Sequence, residues 1–204
     1  MSRAERSDAR QNRERIIDAA RLLFLEHGTA VEMRQLAERA GVGIGTVYRN
    51  FPAKSDLVSA VAADIVAETS AALDAVLALE DPVEVVARYV EVLAETFART
   101  APLAMDLMAA PAFETIRSQV LSWFAEPRLQ RAIERGIARG VFRRDLDPEA
   151  ARLFVAGAAD PLLVLSVGPG PLPPRLQRGL VDLVLRALLA PGVELPAALA
   201  PKGT

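Results

Sequence analysis

The 204-residue chain contains no cysteine and a single histidine. Without cysteine there is no disulfide framework, no thiolate nucleophile and no cysteine-ligated zinc or iron–sulfur centre. The lone His27 falls at a helix end, and neither a glycine-rich phosphate loop nor a paired nucleophile and base accompanies it. This inventory predicts a protein that is not an enzyme and needs no cofactor and no metal. Long apolar runs are missing too. The stretch from Leu153 to Val167 is interrupted by Asp160 and Pro161, and that from Leu180 to Val193 carries Asp182 and Arg186. Neither offers the roughly twenty uninterrupted apolar residues of a membrane span. The segment Met1–Arg6 leads into a charged arm without the apolar core of a secretory signal, so a cytoplasmic location is expected.

Excess charge of one sign is also absent, since the net charge is only -2. The average conceals an asymmetry. Residues 1–54 hold ten Arg or Lys against seven Asp or Glu, whereas residues 55–204 hold fourteen against nineteen. The basic end is the expected phosphate-facing surface.

Alternating β-branched runs are lacking, and apolar residues recur at helical spacing almost throughout. An all-α chain of about nine helices is expected. Its breaks are predicted at His27–Thr29, Ala40–Gly41, Phe51–Pro52, Asp81–Pro82, Ala101–Pro102, Ala110–Pro111, Asp145–Pro148 and Gly168–Pro171. The first helix, from about Arg10 to His27, puts Ile16, Ala20, Leu23 and Phe24 on one stripe, and Gly28 ends it.

Residues 32–51 have the length and punctuation of a helix-turn-helix: a two-turn helix, a break at Gly41 and a second short helix. Small Ala37 lets the helices approach, while Leu36, Val42, Val47 and Phe51 form a shared core. At about 100° per residue, Gly45, Thr46 and Arg49 fall opposite Val47 and Phe51. Ile44 and Tyr48 lie on one flank and Asn50 on the other. A close-approach glycine, a hydroxyl and a guanidinium suit a groove lined by acceptors and phosphates.

From Arg13 to Leu57 the chain resembles the TetR family of regulators. The resemblance is carried by Ile16-Ile17-Asp18-Ala19-Ala20, Leu23-Phe24, Gly28, Leu36-Ala37, Ala40-Gly41-Val42, Gly45-Thr46-Val47-Tyr48, Phe51 and Lys54. It implies an N-terminal three-helix DNA-binding domain, residues 1–53, and a larger helical ligand-sensing and dimerisation domain, residues 54–204. Thr46, Tyr48 and Lys54 then look like phosphate contacts, Arg34 and Arg49 like base readers, and Asn50 stands near the backbone. Ile44 either meets a thymine methyl or packs. Glu32 departs from the pattern, standing where a threonine or serine usually begins the second helix. Arg10 and Arg13 serve equally well as phosphate contacts or as a solvated face.

By the same resemblance the partners are double-stranded operator DNA, a small-molecule effector and a second copy of the chain, with no membrane. Phe97, Met105, Met108, Phe113, Trp123 and Phe124 are candidates to line an apolar ligand pocket, although each taken singly is more simply a core residue. The last two helices carry their charges in narrow arcs and are otherwise apolar or small, with Leu180 and Val184 on the broad apolar side. Such helices bury two sides, the second against another subunit. The competing reading is a helical ligand-binding or interaction protein without DNA binding.

Overall fold

The computed structural model describes residues 3–109, 114–159 and 172–194, with the side chains of residues 3–6 and 104–109 left undescribed. Its helices are α1 (Arg3–His27), α2 (Met33–Ala40), α3 (Ile44–Asn50), α4 (Lys54–Leu77), α5 (Pro82–Ala109), α6 (Glu114–Phe124), α7 (Pro127–Ala138), α8 (Pro148–Ala158) and α9 (Pro174–Leu188). A 3-10 turn, Gly28–Ala30, follows α1. Among the described residues there is no strand, only an isolated antiparallel bridge between Phe142 and Leu189. No described helix is long and apolar enough to cross a membrane.

Three helices start with an acidic residue followed by proline. The carboxylates of Asp81, Glu126 and Asp147 accept the backbone N–H groups of Val83 (2.8 Å), Arg128 (2.9 Å) and Ala150 (2.7 Å). Each thereby satisfies a donor that the first helical turn leaves unpaired, and proline next to it costs nothing because its missing N–H would have been unpaired too. Helix α2 starts differently. Gln35 Oε1 accepts the N–H of Glu32 at 2.8 Å, so the reciprocal arm of a cap is present although no threonine or serine is.

The chain divides into two compact units. The first comprises Met1–Ala67 with Thr100–Ser118. Its core joins Ile16, Ala20 and Phe24 of α1 to Leu36 and Ala37 of α2, Val47 of α3, Phe51, and Leu57, Val61 and Ile65 of α4. Val42 and Leu23 pack on its edge. The second unit comprises Glu68–Arg99 with Gln119–Thr204. There α8 packs against both α7 and α9. The backbone beyond α7 pairs with the end of α9: Arg143 N–H donates to Leu188 O and Ala190 N–H to Val141 O, both at 2.9 Å. Fully buried Phe142 anchors this pairing, and its ring lies against Gly136 of α7.

The expected break at Ala101–Pro102 is not there. Pro102 lies inside α5, with Ala101 and Leu103 buried on either side of it. Proline in a helix interior costs about 3 kcal/mol, and burying one leucine offsets about 1.5–3 kcal/mol. The buried apolar face therefore keeps the helical path through the missing hydrogen bond. Two real breaks, at Ala125–Glu126 and at Arg139–Gly140, stand outside the expected set. Helix α1 also begins at Arg3, well before Arg10. Ala110–Pro111, Asp160 and Gly168–Pro171 lie outside the described residues.

Candidate DNA-binding surface

Eight residues of α2 and seven of α3 are joined by Gly41-Val42-Gly43. Gly41 adopts a left-handed conformation, φ 64°, which favours glycine because a side chain there would be strained. Its N–H returns to the carbonyls of Ala37 and Glu38, and the N–H of Val42 also donates to Ala37 O. This closes α2 and sets where α3 begins. Buried Val47 and Phe51 then fix which face of α3 turns inward.

The outward face carries the residues expected of it. Tyr48 is 51% exposed and Ile44 42%, so neither completes the core. Arg49 and Gly45 are exposed, and Thr46, Asn50 and Lys54 are half-buried. A Cβ placed on Gly45 would meet nothing within 4 Å. Arg49 Nη2 donates to Thr46 Oγ1 at 2.8 Å, which orders the guanidinium while leaving most of its donors and the threonine proton available. Asn50 Nδ2 donates to Thr46 O at 2.8 Å, so its amide turns toward the helix backbone. Arg34, on exposed α2 surface, pairs with Glu38 at 3.4 Å. Exposed pairs of this kind contribute about 0–1 kcal/mol, so a phosphate or base edge can replace the partner.

Sequence reasoning did not single out Arg15. It donates from Nη2 to the carbonyls of Ala40 (2.8 Å) and Gly41 (3.2 Å), at the turn itself. The signal available in the sequence was a cation beside a buried stripe, which is common to most amphipathic helices.

Of the six pocket candidates, three come together in the second unit. The Phe97 ring lies 6.3 Å from that of Trp123 and 6.0 Å from that of Phe124. Trp123 Nε1 donates to Ser70 Oγ at 3.1 Å, and its carbonyl accepts the Tyr89 hydroxyl. The carbonyl of Phe124 accepts from Arg152 of α8. Burial pushes the Tyr89 phenol above the ordinary tyrosine range, with the Glu126 carboxylate acting in the same sense. Glu126 itself is held below the usual carboxylate range, chiefly by the hydrogen bond from Arg128. Phe113 lies outside the described residues, as do the side chains of Met105 and Met108.

Comparison with known proteins bears on the amino-terminal part. Residues 16–61 match the family model for bacterial regulatory proteins of the tetR family. An HTH-type transcriptional regulator of Staphylococcus aureus is 47% identical over 53 residues, which are 26% of this chain and 29% of the relative. The chain thus spans about 29% of the length of the curated relatives it matches. Among solved structures, a TetR/AcrR family regulator from Thermobifida fusca superposes with a TM-score of 0.68 at 24% identity, covering 90% of this chain and 98% of that one. A transcriptional regulator from Saccharomonospora viridis, in complex with choline, gives 0.71 at 20% identity, covering 87% of this chain and 97% of the other. At these identities the two structures carry the fold alone.

Proposed function

We propose that this chain, whose residues 16–61 match the tetR-family model, is a ligand-responsive repressor that binds a palindromic operator as a dimer. Residues 1–53 form the DNA-binding part and residues 54–204 the sensing and dimerising part. The observation that carries this reading is the outward face of α3, where Gly45, Thr46, Tyr48 and Arg49 stand free of the core. Arg49 and Arg34 read base edges, Ile44 meets a thymine methyl, and Thr46, Tyr48, Asn50 and Lys54 hold the backbone.

Pairing of two copies is supported by the surface of α8 and α9. Leu153 and Phe154 are 56% and 50% exposed on α8, and Leu183 is 68% exposed on α9. At about 100° per residue, Leu176, Gly179, Leu180, Leu183 and Ala187 form one stripe along α9, and none of them is buried. A second copy of the same stripe is its natural cover. Two recognition helices then sit about 34 Å apart, one turn of duplex. The effector is an apolar or amphipathic small molecule taken up near Phe97, Trp123 and Phe124, and α4, which runs unbroken from Lys54 to Leu77, carries its effect toward the DNA.

Footprinting on DNA flanking the protein's own gene tests binding and locates the operator. Arg49→Ala or Arg34→Ala is expected to cost about 1–3 kcal/mol on that operator and to relax preference at particular positions. Lys54→Ala should weaken specific and random duplexes alike and lower the salt slope by about one. Equal losses on both duplexes for all three variants would remove the base-reading assignment.

A further inference from the structure

Helix α1 reaches the helix-turn-helix on both sides of α3, through two arginines two residues apart. On one side Arg15 Nη2 bonds the carbonyls of Ala40 and Gly41. The Ala40 carbonyl is among those that the end of a helix leaves without a helical partner. The turn is closed from within by the Gly41 and Val42 N–H groups, and Arg15 ties it from outside to α1. On the other side the Arg13 guanidinium sits 4.4 Å from the centroid of the Phe51 ring. Phe51 ends α3, its N–H donating to Val47 O at 2.8 Å.

We propose that Arg15 and Arg13 are positioning residues for operator readout, a two-point clamp by which α1 sets the pose of the recognition helix without touching a base. The role rests on the DNA-binding reading above. A helix of two turns is marginal by itself, so its pose is set by its packed face, here Val47, together with what grips its ends. Guanidinium suits both grips. Its planar fork of donors spans two neighbouring carbonyls, and its flat cation lies over an aromatic face, where a lysine ammonium offers one compact charge. The turn is matched to the clamp as well, because a Cβ on Gly41 would come within 2.9 Å of Arg15 Nη2.

The test uses the full-length protein, with amide hydrogen exchange at Val42, Thr46 and Val47 and with affinity for the footprinted operator and for a random duplex over a range of salt. Arg15→Met is expected to speed exchange at these amides about five-fold with helix content retained. It should narrow the operator-to-random ratio by about ten-fold and leave the salt slope at its wild-type value. Arg13→Met should do the same at the Phe51 amide. Arg39→Met removes a cation exposed on the last turn of α2, and exchange there should match wild type. If Arg15→Met does not fold, Arg15→Lys decides, with an intermediate effect expected in both readouts. Wild-type exchange in the arginine variants overturns the clamp. So does a salt slope lowered by about one with exchange unchanged, which marks a plain phosphate contact. Should the wild-type protein bind no DNA, the functional reading falls, while exchange still decides whether α1 holds the turn.

Discussion

Replacing Gly136 by alanine, ordinarily a stabilising change in a helix, should destabilise this protein. Alanine is favoured over glycine by about 1 kcal/mol in a helix interior. Here the new Cβ would lie 2.5 Å from Phe142 Cε2, closer still to Cδ2, and 2.9 Å from Cγ. The ring cannot yield cheaply, because Phe142 is fully buried and its own N–H is tied to Gly136 O at 3.1 Å. Overpacking of this kind costs about 1–3 kcal/mol, and three ring carbons met at once put it at the upper end. Subtracting the helix gain leaves a net loss of about 2 kcal/mol. For a chain of this size that lowers Tm by about 4–8 °C. Differential scanning calorimetry of the purified protein reads it directly. Gly136→Ala combined with Phe142→Leu should recover part of the loss, since the smaller side chain vacates the contact. A single variant with unchanged or raised Tm would refute the steric argument, and a double variant worse than the sum of both singles would refute its location.

Leu183→Glu should leave the fold of each protomer intact, because the side chain is already in water, yet abolish pairing and with it operator binding; a variant that remains dimeric by light scattering would move the interface elsewhere. In a Tyr48→Phe background, ultraviolet absorbance titration should show Tyr89 ionising above the ordinary tyrosine range. Because the unfolded chain ionises near about pH 10 and the buried phenol does so later, its contribution to stability is complete below about pH 10 and declines as pH rises beyond it. Tyr89→Phe should remove that alkaline decline and cost about 1–3 kcal/mol through the orphaned Trp123 carbonyl. Trp123 is the sole tryptophan of the chain, so a ligand entering beside Phe97 should change its emission. By linkage, saturating operator should weaken that ligand by the same factor, about 5- to 150-fold, by which the ligand weakens operator; calorimetric affinities equal with and without operator would exclude it as an inducer.

The helix-turn-helix was legible because each of its residues obeys a local rule. Gly41 marks the left-handed turn, Val47 and Phe51 repeat at helical spacing, and the outward residues follow by geometry. Features decided by distant parts of the chain were not. Pro102 reads as a stop in sequence, but burial of Ala101 and Leu103 carries the helix through it. Glu126-Pro127 uses the same kind of cap as Asp81-Pro82, but glutamate is not among the usual capping residues, so its local signal is weaker. On α9 the apolar arc was recognisable, but not which part of it the protomer itself covers. Val184 is buried within the protomer, Leu180 is half-buried, and Leu183, one position before Val184, faces out. Arg15 bonds carbonyls 25 and 26 positions away, and the Gly136–Phe142 contact, only six positions apart, depends on how the chain leaving α7 is held against the end of α9.

The open space around Gly45 separates two kinds of selection. Nothing inside the molecule asks for a residue that small, so a screen of Gly45 substitutions for folding and solubility would accept most side chains. If α3 lies in the groove as proposed, a screen for operator occupancy would reject the bulky ones, since their extra atoms would meet the DNA. On the proposed DNA-binding reading the limit on size at this position would be written by the DNA, and the list of side chains it tolerates would become a steric caliper for the distance between α3 and the floor of the operator groove.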